Sequence, residues 1–260
     1  MRTMLSAALA LAMWAPAHAD VTINATNTGK GLGMSGTTTS TTYIKGLKMR
    51  VDNVRSKKTD TTIFDVENQK MYVLNAKKKE VDVWDMGAFS EELSKSVATE
   101  GMQSSISPNG QTKTIAGHAA EGYDMKIVVP ATLGGPGGMT VTMVLSGVTW
   151  IVKGVPGTEE FATFYKGAAE KGWIFTDPRA AKGSPGQAKA MAEMHAEFAK
   201  LGGVPYESNI DIDTQGDGVM GGLMARLGGV TMTTVTESVE TAPLSDDLFL
   251  PPADYTLKQQ

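Results

Sequence analysis

Cysteine is absent from all 260 residues. That excludes disulfides, thiolate metal centres, cysteine nucleophiles and a lipidated N-terminal cysteine. A chain without covalent staples must hold itself together with a core, and this one is long enough to bury one. Histidine is scarce, at three residues, one of them His18 close to the N-terminus. A histidine-rich zinc site is nearly excluded and no H-E-x-x-H motif occurs. His118 reads as a polar residue at a strand end, and His195 as a helix-surface or partly buried imidazole. No G-x-S-x-G elbow is present, and the adjacent Glu159 and Glu160 do not face each other on a helix. No acid–base set converges, so the chain is expected to be non-catalytic, with no cofactor and no metal. Basic residues number 24 against 28 acidic ones, which leaves no cationic excess for nucleic acid.

Long hydrophobic runs are also missing. The longest, Met4 to Trp14, is too short to span a bilayer. It follows Arg2 and precedes Ala17-His18-Ala19, an A-x-A cleavage signal. Residues 1–19 therefore read as a Sec-type signal peptide and 20–260 as one exported domain. No transmembrane segment is expected in the mature chain. Losing Arg2 makes the net charge, −4 for the whole chain, one unit more negative. A periplasmic protein, or one secreted further, fits these features.

What is present is mostly strand pattern. Val21, Ile23 and Ala25 alternate with polar residues, the period-2 signature of a half-buried strand. Thr37 to Asp85 reads as consecutive strands and tight turns: TTTSTTYIKG, LKMRVDNV, TTTIFDV, KMYVLN and EVDVWDM. Ala88 to Val97 reads as a short helix with Phe89, Leu93 and Val97 on one stripe. Pro108-Asn109-Gly110 is a strong turn signal. QTKTIAGH and YDMKIVV then resume the sheet. Gly134 to Gly138 is a looped tract without the lysine and hydroxyl of a phosphate loop. Met139 to Leu145 and Val148 to Val152 read as two further strands.

The period then changes. A helix capped by Thr158 runs to Lys171, with Phe161, Phe164/Tyr165 and Ala168/Ala169 as its apolar stripe and Gly172 as its stop. Asp177-Pro178 and Gly183 to Gly186 delimit a loop. A second helix, QAKAMAEMHAEFAKLG, places Met191, Met194/His195, Phe198 and Leu201 on one face. Val204 to Ile212 and VTMTTVTESV return to strand, around a loop with a helical piece near Leu223 to Leu227. Asp211, Asp213 and Asp217 lack the ligand set of a calcium loop and read as a turn with acidic caps. Leu248, Phe249 and Leu250 dock the C-terminal end. This order predicts a mainly β (α+β) fold: a curved antiparallel sheet forming an incomplete barrel, its concave face covered by helices.

The segments YIKGLKMRVD, IFDVENQKMYVLNAKKKEV, TIAGHAAEGYDMKI and LFLPPADY resemble a family of uncharacterised exported proteins related to the lipoprotein-localisation factors LolA and LolB. That resemblance implies a half-barrel of about eleven antiparallel strands with helices plugging the hollow side, which in the lipoprotein carriers takes acyl chains. It transfers no catalytic residue. Sixteen methionines stand out, and three readings of them stay open: an adaptable lining, thioether ligation of Cu(I), or ordinary core.

Two functions compete. One is a carrier for an acyl chain, lipoprotein segment or other apolar molecule; the other is an envelope-protein interaction domain with a filled core. For the carrier, Phe161, Phe164, Met191, Met194 and Phe198 are the candidate helix-side lining. Met71, Trp84 and Trp150 are the sheet-side candidates, with Tyr72 on the face opposite Met71.

Overall fold

The computed structural model describes residues 20–31, 34–95, 102–133, 139–173, 175, 177–183, 185–216 and 229–260. The signal peptide, the Gly134 to Gly138 tract, Val97, Asp217 and the Leu223 to Leu227 piece lie outside these residues. Twelve strands form one unclosed curved sheet, with β12 at one edge and β7 at the other. The strands β1 (Val21–Gly31), β2 (Met34–Lys45), β3 (Lys48–Arg55), β4 (Lys58–Asp65), β5 (Lys70–Asn75) and β6 (Glu80–Asp85) form a meander of hairpins. On the other side of β1 lie β11 (Val230–Thr241), β10 (Val204–Gly216), β9 (Met139–Val152), β8 (His118–Leu133) and β7 (Gln103–Ile115). The expected half-barrel of antiparallel hairpins is thus the observed architecture, with one exception. At the C-terminus β12 (Thr256–Gln259) pairs parallel to β6.

One cross-strand row explains the core of the meander. Val21 pairs with Ile44, Ile44 with Met49, Met49 with Phe64, Phe64 with Met71, and Met71 with Trp84. Each is buried. Facing residues in register on one side of a sheet touch, so alternation within each strand becomes an apolar seam across all six. The helix α2 (Thr158–Glu170) lies over it with Phe161, Phe164 and Ala168 buried, followed by the buried Trp173. Each large apolar side chain closed off here contributes on the order of 1.5–3 kcal/mol. The helix α4 (Pro185–Lys200) covers the other half, where Ala190, Met194 and Phe198 meet Met125, Ile127, Leu145, Ile210 and Ile212.

Several local expectations are corrected. Pro108-Asn109-Gly110 does not turn the chain; β7 runs through it with a bulge between Pro108 and Thr112. There Asn109 accepts from the Gln111 amide at 3.0 Å and donates to Asp124 at 2.9 Å. On this edge strand proline has no central ladder to interrupt. The two strands expected over Met139 to Val152 are one, β9. The loop after Asp177 holds the short helix α3 (Pro178–Gly183). The early helix α1 (Met86–Ser94) starts before Ala88, because Asp85 accepts from the Ala88 amide at 3.1 Å as its N-cap. Leu250 is exposed while Phe249 is buried in a 3-10 turn, Asp246–Phe249, that contacts β3 and β4.

Thr158 is not the cap of α2. That position belongs to Gly157, at φ 86°, and the Thr158 hydroxyl donates to the Val155 carbonyl at 2.7 Å. Glu160, expected only to favour the helix start, is buried, and its carboxylate accepts from the Gly46 amide in the β2–β3 turn. At the far end of the helix Lys171 donates to the carbonyls of Val66 and Glu67 at 2.9 and 3.0 Å. The helix is thereby pinned to two turns at the same end of the meander, β2–β3 and β4–β5.

A Cβ on Gly157 would sit 2.5 Å from Val21 Cγ2, in a left-handed conformation that L side chains disfavour. Gly157→Ala should therefore cost about 2 kcal/mol and lower Tm by several degrees in a thermal melt. An unchanged Tm would show that the start of α2 does not depend on this conformation.

Candidate functional site

The apolar seam is the bottom of a graded inner surface. One step along the strands, the row becomes Ile23, Thr42, Val51, Thr62, Val73 and Asp82. A further step brings Ala25, Ser40, Asn53 and Asp60 into line. The inner face thus passes from sealed and apolar to open and polar along each strand. The helices follow the seam, and cavities remain above it, two of which are lined by candidate residues.

The larger cavity has a volume of about 1180 Å³ and lies between β3–β5 and the helix side. Met49, Phe64, Met71, Val51 and Val73 form its sheet wall, and Tyr165, Phe175 and His195 its inner wall. The second, of about 290 Å³, lies under α2 and α4, lined by Ile23, Phe161, Met191, Met194, Phe198 and Met232 among others. Tyr165 and His195 line both. Their rings stack 5.1 Å apart at 14°, and Phe175 meets His195 edge-on at 4.9 Å. These aromatic side chains form the partition between the two spaces. The Tyr165 hydroxyl donates to Met49 Sδ at 3.8 Å, which ties the partition to the seam.

The partition is shielded from bulk water, and its remaining exposed surface faces the cavities. Burial therefore favours neutral forms. It raises the Tyr165 phenol above its ordinary range and pushes the His195 imidazole down to about 4. At the mouth, Arg179 donates to both oxygens of Asp177, at 3.0 and 2.7 Å, and to Asp82 at 2.9 Å. Burial alone would raise the Asp177 carboxyl, but the bonds and charge of Arg179 outweigh it and hold the group below its usual value. The C-terminal Gln260 donates to the other oxygen of Asp82 at 2.8 Å.

The candidate residues divide accordingly. Phe161, Met191, Met194 and Phe198 come together around the smaller cavity, and Met71 lines the larger one. Phe164, Trp84 and Trp150 border neither. Phe164 is wholly buried beneath Tyr165 and Phe175. Trp84 belongs to the inner seam but is covered by Phe89 of α1 at 5.9 Å and by Lys182 of α3. Trp150 follows Thr149, whose hydroxyl bonds at 2.5 Å to Ser208 on the cavity side. Alternation turns Trp150 to the outer face, where the Lys113 ammonium sits 4.3 Å from its ring. Asp211 and Asp213, expected to cap a turn, lie instead inside β10, where Asp211 is paired with Ser146 on one side and Thr231 on the other and accepts from the Thr231 hydroxyl at 2.6 Å.

Sequence reasoning missed Phe175, Asp177 and Arg179 as wall and mouth residues, because that segment reads as a loop. One signal was available: Trp173 and Phe175 are large aromatics placed directly after a helix-stopping glycine, where solvent-exposed loops seldom carry them.

A neutral buried imidazole has a thermodynamic consequence. His195 titrates near 6.5 when unfolded and near 4 when folded. The unfolded chain therefore binds the extra proton first as pH falls, so this contribution is complete above 6.5 and is lost towards 4. Its slope approaches about 1.4 kcal/mol per pH unit within that window. Denaturant melts of the protein and of His195→Gln should show a flatter pH dependence in the variant, and an NMR titration should place the imidazole well below its ordinary value. Parallel pH dependences in the two proteins would contradict the burial argument.

No protein-family model and no curated protein matches this chain. Among solved structures, PNGF-II aligns with 93% of this chain at 11% identity and a TM-score of 0.37. This chain spans only 31% of that protein's length. A domain from Vibrio parahaemolyticus described as an outer membrane lipoprotein-sorting protein aligns over 90% of both chains, at 7% identity and a TM-score of 0.33. At scores this low neither likeness assigns a fold or a function to this chain.

Proposed function

We propose that this chain is a non-catalytic binding or carrier protein of the cell envelope, exported by its N-terminal signal and soluble in the periplasm. It holds an apolar molecule, such as an acyl chain or the lipid-modified end of a lipoprotein, between the sheet and the covering helices. The observation that carries this reading is the cavity of about 1180 Å³ above an apolar seam. Filled cores leave few voids larger than a water molecule, whereas ligand sites reach this size and combine apolar walls with a few polar groups. The sequence resemblance to the lipoprotein-localisation half-barrels supports the same reading. Among the described residues no helix is long and apolar enough to cross a membrane.

The methionines fit this reading as an adaptable lining. Met191, Met194 and Met232 border the smaller cavity, and Met49 and Met71 the larger. Unbranched thioether side chains repack around irregular apolar guests at little cost.

Native mass spectrometry of protein purified from its own envelope should reveal a co-purifying lipid or acylated peptide. A fluorescent fatty-acyl probe should bind the delipidated protein. Val73→Asp, which puts a carboxylate on the half-buried cavity wall, should weaken that binding at least tenfold with the circular dichroism spectrum retained. Ligand-free protein that takes up no probe would instead favour an envelope interaction domain.

A further inference from the structure

The polarity of the larger cavity has a direction. Its strands run from the Met49–Phe64–Met71 row to two neighbouring hairpin turns, β3–β4 and β5–β6, at one end of the meander. Those turns carry lysines onto the cavity mouth: Lys57 and Lys58 from the first, Lys77 from the second. Three carboxylates also line the cavity, one paired with its own cation and two sharing one. Asp60 pairs with Lys58 at 2.6 Å. Asp82 and Asp177 share Arg179. Lys57 and Lys77 have no carboxylate partner among the described residues. A chain with net negative charge thus presents two ammonium groups without a carboxylate partner among the described residues at the open, polar end of a space that is apolar along its seam side. Its inner end is closed by Tyr165, Phe175 and His195.

We propose that the larger cavity binds an amphiphile with an anionic head, the head held at the mouth by Lys57 and Lys77 and the tail lying along Val51, Val73 and Met71 towards Phe175. This rests on the carrier reading above and adds the polarity of the ligand. The lysines sit in turns bathed by water, where their charge costs nothing to maintain. Long ammonium side chains reach over an apolar rim while their stems stay in contact with it. An anionic head gains their attraction, a neutral head does not, and a cationic head is repelled. Arg179 does not serve the same purpose, because its charge is already offset by the carboxylates of Asp82 and Asp177.

The test is displacement of a dansyl-labelled fatty acid from the delipidated full chain by palmitate, cetyl phosphate, cetyl alcohol and cetyltrimethylammonium. It is repeated on the double variant Lys57→Gln/Lys77→Gln and on Lys126→Gln, which removes one exposed positive charge elsewhere on the sheet. The two anions should bind about tenfold more tightly than the alcohol at low salt, and the ammonium most weakly. The double variant should lose most of the preference for anions while keeping its affinity for the alcohol; Lys126→Gln should keep both. Palmitate stronger than cetyl phosphate would assign a carboxylate head, and the reverse a phosphate monoester. Equal binding of anion and alcohol, or a preference that survives the double substitution, overturns this inference and leaves the carrier reading intact. Failure of all four to displace the probe, or of the probe to bind, overturns both.

Discussion

The cover that α2 places on the Val21–Ile44–Met49–Phe64–Met71–Trp84 row is the constraint on which the rest of the molecule depends. A curved sheet of hairpins cannot leave such a row facing water, since a contiguous exposed apolar patch is costly and sticky. Covering it requires a helix with its apolar stripe at the right height, and the chain fixes that height from both ends. Buried Glu160 holds the β2–β3 turn and Lys171 holds the β4–β5 turn. With no disulfide available, these polar ties and the aromatic contacts around Phe164 and Trp173 do the positioning.

The cavities follow from the same arrangement. The seam occupies one level of the inner face, and the helices follow the seam. The levels nearer the open strand ends are progressively polar, so nothing drives the helices to collapse onto them. Space is left where apolar burial stops being worthwhile. The stacked Tyr165 and His195 stand at that boundary, their polar atoms kept neutral by shielding from water.

The outer face obeys a different logic. In the meander it is sealed by the chain's own end: Phe249 lies against β3 and β4, and β12 adds itself to the edge beside β6. Lys258 bonds to Glu80 at 2.7 Å and Lys79 to Asp254 at 2.7 Å, which places charges along this edge. Charged, short edge strands resist pairing with another chain. The same C-terminal segment delivers Gln260 to Asp82 at the cavity mouth, so the edge and the site share one carboxylate.

Local pattern and tertiary structure divide the explanation cleanly. The strands from Thr37 to Asp85, and the helices around Phe161 and Met194, are legible in the sequence because alternation and 3.6-residue periodicity are properties of short stretches. The same holds for the absence of thiol chemistry. Periodicity placed Phe161, Met191, Met194, Phe198 and Met71 on inward faces, and the fold put each beside a cavity. It also nominated Trp150, which borders neither cavity and instead carries the Lys113 ammonium over its ring, a contact between strands distant in the chain. It treated Pro108-Asn109-Gly110 as a turn, where the edge position of β7 tolerates a bulge instead. Which rows come into register across six strands, which carboxylates Arg179 occupies, and where the helices stop short of the sheet depend on residues distant in the chain. Only their assembly in three dimensions decided the existence, depth and polarity of the cavity, because a void is defined by what surrounds it and not by any one segment.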